Sequence, residues 1–212
     1  MLIEQTITAF LQALQSDSPA PGGGSAAALT GATGAALAIM VGKLTLANEK
    51  YEPVHDECGK LAAALSACLD KLTLYIDADT AAFSQVMAAY KLPKATTDEK
   101  AARTAAVQTA LKQAAALPLA VAQTCVEVLE LAARMLAIGN TNAASDAAVA
   151  GRLAEAAMWS AIYNVRINLA SIKDVSFIDA TTAAVAREID RAETLMRQFV
   201  PAVNVKIQVN TD

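Results

Sequence analysis

Residues 18–25 read Ser18-Pro19-Ala20-Pro21-Gly22-Gly23-Gly24-Ser25, and they lead directly into an almost unbroken run of small residues from Ala26 to Ala47. The prolines restrict the backbone on the approach, and the glycines allow torsion angles that other residues avoid. Ser25 is a natural N-cap for the helix that follows. Because a helix start exposes unpaired N–H groups and a positive dipole end, these residues are typical of a ligand-approach loop. An ordinary turn between two helices explains them equally well.

The loop matches neither of two common phosphate-binding motifs. A Walker loop continues with Gly-Lys-Ser/Thr, whereas Ala26 follows Ser25 here. The dinucleotide-binding fingerprint follows an apolar strand, but the polar residues Ser16, Asp17 and Ser18 precede this loop. The loop therefore does not indicate a nucleotide-binding protein.

The composition favours a bundle of closely packed helices. Of the 212 residues, 55% are hydrophobic but only 4% are aromatic, and alanine is the commonest apolar residue. Alanine is the strongest helix former and fills a sheet core poorly. No linker, repeat or low-complexity segment divides residues 1–212, so we expect a single domain. The net charge of −4 disfavours nucleic acid and anionic membranes as main partners.

The cysteines and the histidine indicate a reduced compartment and no metal site. Cys58, Cys68 and Cys125 are widely spaced, odd in number and set in helical patterns, which is typical of buried thiols in a cytoplasmic protein. The first residues lack the pattern of a secretory signal. Because CxxC and HExxH motifs are missing and His55 is the single histidine, we expect no metal ion held by side chains.

The segment from Ala26 to Gly42 is apolar enough to suggest either a core helix or a membrane span. It is dominated by alanine, interrupted by two threonines and barely long enough to cross a bilayer. Small residues recur every four positions at Ala27, Gly31 and Ala35, which lets another backbone approach closely. We expect a central, fully buried helix, with a membrane span as the alternative.

Helical periodicity runs through every long segment and predicts an all-α, antiparallel helical bundle. Pro118 should kink or divide the fourth helix, and Ser145 or Asp146 should cap the fifth. Only the tail from Val203 to Val209 is strand-like. The expected helices span about Ile3–Gln15, Ser25–Ala47, Val54–Tyr90, Thr96–Ala137, Asp146–Ser171 and Phe177–Phe199, the fourth begun by a Thr96 and Glu99 capping box and the last ended by Pro201.

Two asparagines lie on the face of the fifth predicted helix that should point to the core. At 100° per residue, Asp146, Asn164 and Asn168 share one alanine-lined face. Buried amides need hydrogen-bond partners, so the asparagines either bridge neighbouring helices or hold a polar heterocycle. Because Asp146 and Asn164 are about 27 Å apart along the axis, they can share a site only through an elongated ligand or a second subunit.

The segment Asp77-Ala78-Asp79 offers a candidate acid or base. Its two carboxylates point about 200° apart on a helix, so one can be solvated while the other faces the core. A carboxylate among alanines has a raised pKa and can transfer protons. A hydrogen bond across the bundle is the structural alternative.

Motifs spread over nearly the whole chain occur in the order found in one protein family. They are the loop from Ser18 to Ala28, the helical stretch Asn164-Val165-Arg166-Ile167-Asn168-Leu169, and the shorter matches Met40-Val41, Lys43-Leu44-Thr45, Asp79 with Ala82-Phe83, Leu92-Pro93-Lys94, Arg103, Gly139-Asn140 and Ser145-Asp146. In these motifs the chain resembles formiminotetrahydrofolate cyclodeaminase and its single-domain relative, methenyltetrahydrofolate cyclohydrolase. Larger bifunctional members carry a formiminotransferase domain, which these residues do not include.

The resemblance implies a helical homodimer with folate sites in clefts between the subunits. It implies that Asp79 transfers protons, with Lys43 and Lys94 as further catalytic candidates. The pterin edge would be bound by Asp79 and two asparagines, and the glutamate tail would lie along the glycine loop or near those lysines. The candidate substrate-binding residues are Pro21, Gly22, Gly23, Gly24, Ser25, Asn140, Asp146, Asn164 and Asn168.

The implied activity is conversion of 5-formiminotetrahydrofolate to 5,10-methenyltetrahydrofolate with release of ammonia. N10 attacks the formimino carbon within one molecule, so the protein mainly orients the substrate and moves protons. The cyclohydrolase reaction, which adds water to the same bridging carbon, is one alternative. A non-catalytic helical dimer that binds folate is the other. Neither reaction needs a metal or redox cofactor, so folate is expected as substrate and no cofactor is expected.

Overall fold

The computed structural model describes residues 1–207, and these residues form six α-helices with no strand. The prediction of an all-α fold is therefore confirmed. Three short 3-10 turns lie at Leu2–Glu4, Glu49–Val54 and Thr141–Ala143. The helices are α1 Ile7–Leu14, α2 Gly23–Leu46, α3 His55–Tyr90, α4 Thr97–Ile138, α5 Ala144–Leu169 and α6 Val175–Ile207.

Helix α2 lies at the centre of the bundle because glycines on its surface let other helices approach. A Cβ atom on Gly31 would stand 2.7 Å from Cys125 Sγ in α4 and 3.3 Å from a methyl group of Leu72 in α3. On Gly34 it would stand 2.9 Å from the carbonyl oxygen of Ala150 in α5. The small-residue pattern in α2 thus produces close contact with three neighbouring helices.

The start of α2 lies against the late part of α3 and the end of α5, which places α3 and α5 antiparallel to α2. A Cβ on Gly24 would meet the Asp79 carboxylate, and a Cβ on Gly23 would meet the Asn164 side chain. Helices α3 and α4 continue past this point as a projecting hairpin, the arm, formed by residues 80–90 and 97–114. A second apolar cluster joins the arm to the segment after α5, and Leu169 packs against both this cluster and the main core. The cluster consists of Val86, Ala89, Val107, Ala110 and Leu111 of the arm together with Ala115 and Ile172.

One predicted helix cap is present in the structure, and two others are not. The capping box of Thr96 and Glu99 is present. Ser25 is not an N-cap, because α2 begins at Gly23 and has Gly22 as its N-cap. The predicted caps of the fifth helix are also wrong, since α5 begins at Ala144 without a side-chain cap.

The prolines within helices do not end or divide them. Helix α4 continues from Thr97 to Ile138 with Pro118 inside it. Helix α6 likewise includes Pro201 and reaches Ile207, so residues 203–207 of the strand-like tail are helical. The remaining residues of that tail, 208 and 209, lie outside the described part of the chain.

All three cysteines are free and buried, as the sequence predicts. Burial raises the pKa of the Cys68 and Cys125 thiols to about 12. These thiols are therefore protonated at neutral pH and are poor nucleophiles.

Two helices, Gly23–Leu46 and Thr97–Ile138, are long and apolar enough to cross a membrane by length and composition. In each, 56% of the most apolar window is buried inside the bundle. Core helices of a folded bundle show the same composition, so the test does not distinguish a core helix from a membrane span. The expectation that α2 is fully buried is wrong, since Met40 and Leu44 are exposed.

Candidate active site

A cavity of about 230 Å³ lies at the base of the arm, where α2 begins. Four chain segments meet there: the glycine loop, α3, the middle of α4 and the end of α5. The cavity is lined by Pro19, Ala20, Gly22, Gly23, Gly24, Asp79, Ala82, Phe83, Val86, Ala114, Asn164 and Asn168. The fold thus brings together the glycine loop, Asp79 and both asparagines, which are far apart in the sequence.

Asp79 binds the start of α2 through one of its carboxylate oxygens. Oδ2 accepts a hydrogen bond from the backbone N–H of Ser25 at 2.9 Å and from the Ser25 hydroxyl at 3.2 Å. The same hydroxyl lies 2.8 Å from the carbonyl oxygen of Ile76. Asp79 therefore satisfies a free N–H at the helix start from another helix, which explains why Ser25 need not act as the cap.

Gly24 makes this arrangement possible. A Cβ on Gly24 would stand 2.5 Å from Asp79 Cγ and closer still to Oδ1, which is shorter than real contacts allow. Oδ1 accepts no hydrogen bond from another residue within 1–207. One oxygen of Asp79 is thus engaged with α2 while the other remains available at the cavity.

The pKa of Asp79 is raised above its ordinary value of 3.8 because burial disfavours the charged carboxylate. The Ser25 hydrogen bonds act in the opposite direction, since they stabilise the carboxylate, but they do not cancel the effect of burial. A carboxyl group with a raised pKa exchanges protons closer to neutral pH. Asp79 therefore has the position and the electrostatic environment of a general acid or base.

The two asparagines each use their amide N–H₂ group in a bond to the protein. Asn164 Nδ2 donates to the carbonyl oxygen of Ser160 at 2.9 Å, and Asn168 Nδ2 donates to that of Ala114 at 2.7 Å. Neither Oδ1 atom accepts a bond within residues 1–207, and neither is among the buried unpaired atoms of that part. Together with Asp79 Oδ1, the amides give the cavity three available acceptor oxygens.

Apolar side chains of α3 form one wall of the cavity, on the same face of the helix as Asp79. Phe83 is half-buried, and Ala82 and Val86 lie on the same side of α3. A flat ring can lie against such a wall while its polar edge meets the acceptor oxygens. The periodicity of α3 alone did not single out this wall, because apolar residues at helical spacing are usually core.

Three other predicted site residues lie at the opposite end of the bundle. Lys43 is exposed near the end of α2, about 27 Å from Ser25 along the helix axis. Asn140 follows α4, where its backbone N–H donates to Thr45 Oγ1 at 2.9 Å. Asp146 lies in the first turn of α5. None of these three residues lines the cavity that contains Asp79.

Lys94 and Pro21 also lie outside the cavity lining. Lys94 is exposed in the loop at the tip of the arm, beyond the end of α3 at Tyr90. Tyr90 itself is about 16 Å from Asp79 along the helix. Pro21 is buried just before α2 and follows a cis peptide bond with Ala20. Neither residue lines the cavity, and Lys94 is far from Asp79.

Positively charged side chains line a second cavity rather than the Asp79 cavity. No Lys or Arg lines the cavity itself within residues 1–207. A neighbouring cavity of about 340 Å³ on the arm is lined by Arg103, Lys173, Tyr90 and four further residues. Val86 of the first cavity and Tyr90 of the second are one helical turn apart on α3, about 6 Å. The two cavities thus lie in succession along α3.

Within the described residues no group of three or more metal-ligating side chains is clustered. The site's chemistry rests on one carboxylate, two amides and backbone N–H groups. These groups bind and orient a polar organic ligand and exchange protons with it.

The family model for formiminotransferase-cyclodeaminase matches residues 6–187. The chain is 40% identical to methenyltetrahydrofolate cyclohydrolase of Methylorubrum extorquens, over 96% of this chain and 98% of that protein. It is 35% identical to formimidoyltransferase-cyclodeaminase of Rattus norvegicus over 91% of this chain, but it spans only 36% of that longer protein.

Among solved structures, formiminotetrahydrofolate cyclodeaminase of Thermotoga maritima has a similar fold. The TM-score is 0.85 at 27% sequence identity, and the match covers 98% of both chains. The family model, the full-length bacterial relative and this solved structure thus point to the same family and fold. The chain belongs to the formiminotransferase-cyclodeaminase family.

Proposed function

We propose that this protein is a folate enzyme that closes the ring between N5 and N10 of 5-formiminotetrahydrofolate and releases ammonia. The observation that carries the proposal is the position of Asp79, whose pKa is raised, in one cavity with the glycine loop, Asn164 and Asn168. The names of the relatives support the substrate class.

The cavity suits the pterin end of the substrate. Phe83 offers a flat apolar face, and the acceptor oxygens of Asn164 and Asn168 suit the N–H groups along the pterin edge. Oriented in this way, the bound substrate brings N10 close to the formimino carbon. Holding reacting atoms together supplies much of the rate enhancement in an intramolecular closure.

Asp79 would accept and donate the protons that the reaction transfers. N10 attacks the formimino carbon and gives a tetrahedral carbon bonded to N5, N10 and an amino group. N10 loses its proton, the amino group gains protons, and the carbon–nitrogen bond breaks to release ammonia and leave the methenyl cation. A carboxyl group that is readily protonated can take the N10 proton and supply one to the leaving amine. The closure changes no oxidation state, so the proposed reaction needs no redox cofactor.

Cyclohydrolase activity is the second candidate, and one observation favours it. The relative that matches along 98% of its own length at 40% identity is named as a methenyltetrahydrofolate cyclohydrolase. In that reaction water adds to the same bridging carbon of the methenyl compound, and Asp79 would act as the base. The same cavity supports both reactions because both pass through a tetrahedral carbon beside N5 and N10.

The glutamate tail would extend from the cavity toward the arm rather than along the glycine loop. The Asp79 carboxylate already occupies the anion-binding position at the start of α2. Arg103 and Lys173 line the neighbouring cavity and supply the positive charge that the tail carboxylates need. This arrangement replaces the sequence-based expectation that the tail follows residues 22–24.

The proposal includes a homodimer in the cytoplasm. Large apolar side chains remain exposed on α2 and α5, including Met40 at 38%, Leu44 at 45%, Tyr163 at 60% and Ile167 at 70% exposure. A two-fold axis across these helices would place the far end of one protomer, with Lys43, Asn140 and Asp146, beside the Asp79 cavity of its partner. The buried, protonated thiols suit a reducing compartment.

Two substrate mixtures test the proposal. The purified protein is incubated with 5-formiminotetrahydrofolate or with 5,10-methenyltetrahydrofolate, and the absorbance of the methenyl compound is followed. Its appearance from the first substrate supports the cyclodeaminase, and its accelerated loss from the second supports the cyclohydrolase. Thermal stabilisation by folates without either change would indicate a folate-binding protein that is not an enzyme.

A further inference from the structure

Pro118 lies inside the long helix α4, where a proline is unfavourable. It is buried, and the helix continues on both sides of it from Thr97 to Ile138. Proline has no backbone N–H, so the carbonyl group four residues earlier loses its helical partner. That carbonyl belongs to Ala114, which lines the cavity.

Asn168 supplies the missing donor from another helix. Its Nδ2 lies 2.7 Å from the Ala114 carbonyl oxygen, and 54 residues separate the two positions. An amide side chain has a donor end and an acceptor end. Because Nδ2 is engaged with Ala114, Oδ1 is the end that remains for a ligand in the cavity.

We propose that Pro118 is a positioning residue that acts through the Ala114 carbonyl to hold the Asn168 amide with its oxygen available to the ligand. The inference rests on the proposed function, since it states which edge of the folate the cavity binds. With Asn164 and Asp79 also presenting oxygens, the cavity accepts a ligand edge that offers N–H donors. A residue with an N–H at position 118 would compete for the Ala114 carbonyl and release the amide.

The structural part of the inference is tested without any ligand, by a double-mutant cycle on thermal stability. In the wild type, Asn168→Ala leaves the Ala114 carbonyl unpaired. In the Pro118→Ala background, the new backbone N–H can pair it. Asn168→Ala should therefore lower Tm less in that background than in the wild type. Equal losses in both backgrounds would overturn the proposed link between Pro118 and Asn168.

The functional part is tested by the affinity for tetrahydrofolate, measured by calorimetry. Pro118→Ala should maintain or raise Tm, because an interior proline is removed from a helix. It should nevertheless raise Kd about fivefold, the effect of losing one oriented hydrogen bond. The control is Pro201→Ala, since Pro201 is also inside a helix but is exposed in α6. This control should bind tetrahydrofolate like the wild type.

The outcomes separate the inference from the proposed function. If wild-type protein binds no tetrahydrofolate, the proposed function fails. If the wild type binds and Pro118→Ala has the same Kd, the positioning role is wrong while the function stands. Should Pro118→Ala not fold, Asn168→Asp provides the second test. The ionised aspartate side chain keeps an oxygen for the ligand but cannot donate a hydrogen bond to the Ala114 carbonyl. Asn168→Asp should therefore lower Tm. It should weaken the binding of tetrahydrofolate, but by less than Asn168→Ala does.

Discussion

Asp79 in α3 and Ser25 in α2 are joined by a hydrogen bond of 2.9 Å from the Ser25 backbone N–H, although 54 residues separate them in the sequence. The carboxylate therefore caps a helix that has only glycine at its own N-cap position. This contact links the glycine loop to the proposed proton-transfer group. A change in the loop should consequently affect both folding and activity.

Replacing Gly24 tests that link. Gly24→Ala should lower the free energy of unfolding by roughly 1–3 kcal/mol, because its Cβ would overlap the Asp79 carboxylate. It should also lower kcat, since Asp79 must move. Gly59→Ala is the matched control, because a Cβ at Gly59 has no atom within 4 Å. Urea unfolding and turnover of both variants provide the measurement, and a Gly24→Ala protein as stable and active as the control would contradict the contact.

Gly23 should respond differently from its neighbour. A Cβ there would lie 3.2 Å from Asn164 Nδ2, a contact that a small shift can relieve. Gly23→Ala should therefore raise KM by displacing the amide and change stability little. Steady-state kinetics beside a thermal melt would test this, and an unchanged KM would show that the loop does not position Asn164 for the substrate.

The raised pKa of Asp79 predicts a pH dependence of stability. The folded state binds this proton more tightly than the unfolded state, whose pKa is near 3.8. The stabilisation from the protonated group is thus present at low pH and is lost as pH rises through the raised pKa. The wild type should lose stability relative to Asp79→Asn as pH rises from the unfolded value of 3.8 through the raised pKa of the folded state. Urea unfolding of both proteins at matched ionic strength measures the difference, and a constant difference would exclude the raised pKa.

The cavity lined by Arg103 and Lys173 predicts that the charge of these residues affects the KM for polyglutamylated folates. Lys173→Glu should raise KM for a polyglutamylated folate by about two- to fivefold more than for the monoglutamate. High salt should reduce this gap because it screens exposed charges. Lys100→Glu makes the same charge change on α4 outside the cavity lining and serves as control. If both variants change KM equally, the tail does not lie in this cavity.

Mixed dimers test whether two protomers complete one site. Asp79→Asn and Lys43→Ala proteins are each expected to be weakly active, since every site of each variant lacks one of these groups. After mixing and exchange of subunits, about a quarter of the sites would be intact, and activity should return to that level. A mixture as inactive as its components would contradict a shared site, as would a monomeric mass by light scattering.

The positions of most helices could be predicted from the sequence, because alanine content and apolar periodicity determine helix formation from residues that are near one another in the chain. The first and last residues of α3 could be predicted from residues next to its ends. The capping box at Thr96 could be predicted because its two side chains are close in the sequence. The error at Ser25 has a tertiary cause, since Asp79 supplies the cap from another helix. Pro118 was expected to disturb α4, but Asn168 pairs the carbonyl that it frees.

The site was predictable only in part. The resemblance named Asp79, Asn164 and Asn168, and the antiparallel packing of α2 with α3 and α5 brings them together. Lys43, Asn140 and Asp146 were named with them, and the helical rise already separated Asp146 from Asn164 by about 27 Å. Periodicity alone does not show how residues on different helices are placed relative to one another. The contact between Gly24 and Asp79 had no sequence signal beyond the glycine itself.

In the proposed reaction, Asp79 transfers the protons at the carbon between N5 and N10. The most direct measurement is turnover of 5-formiminotetrahydrofolate and of 5,10-methenyltetrahydrofolate by wild type, Asp79→Asn and Asp77→Asn. Asp77 is the matched control because its carboxylate accepts the backbone N–H of Leu2, away from the cavity. We predict that Asp79→Asn lowers kcat at least about 100-fold with little change in KM, while Asp77→Asn stays near wild type. Full activity of Asp79→Asn on the substrate that the wild type converts would contradict the account.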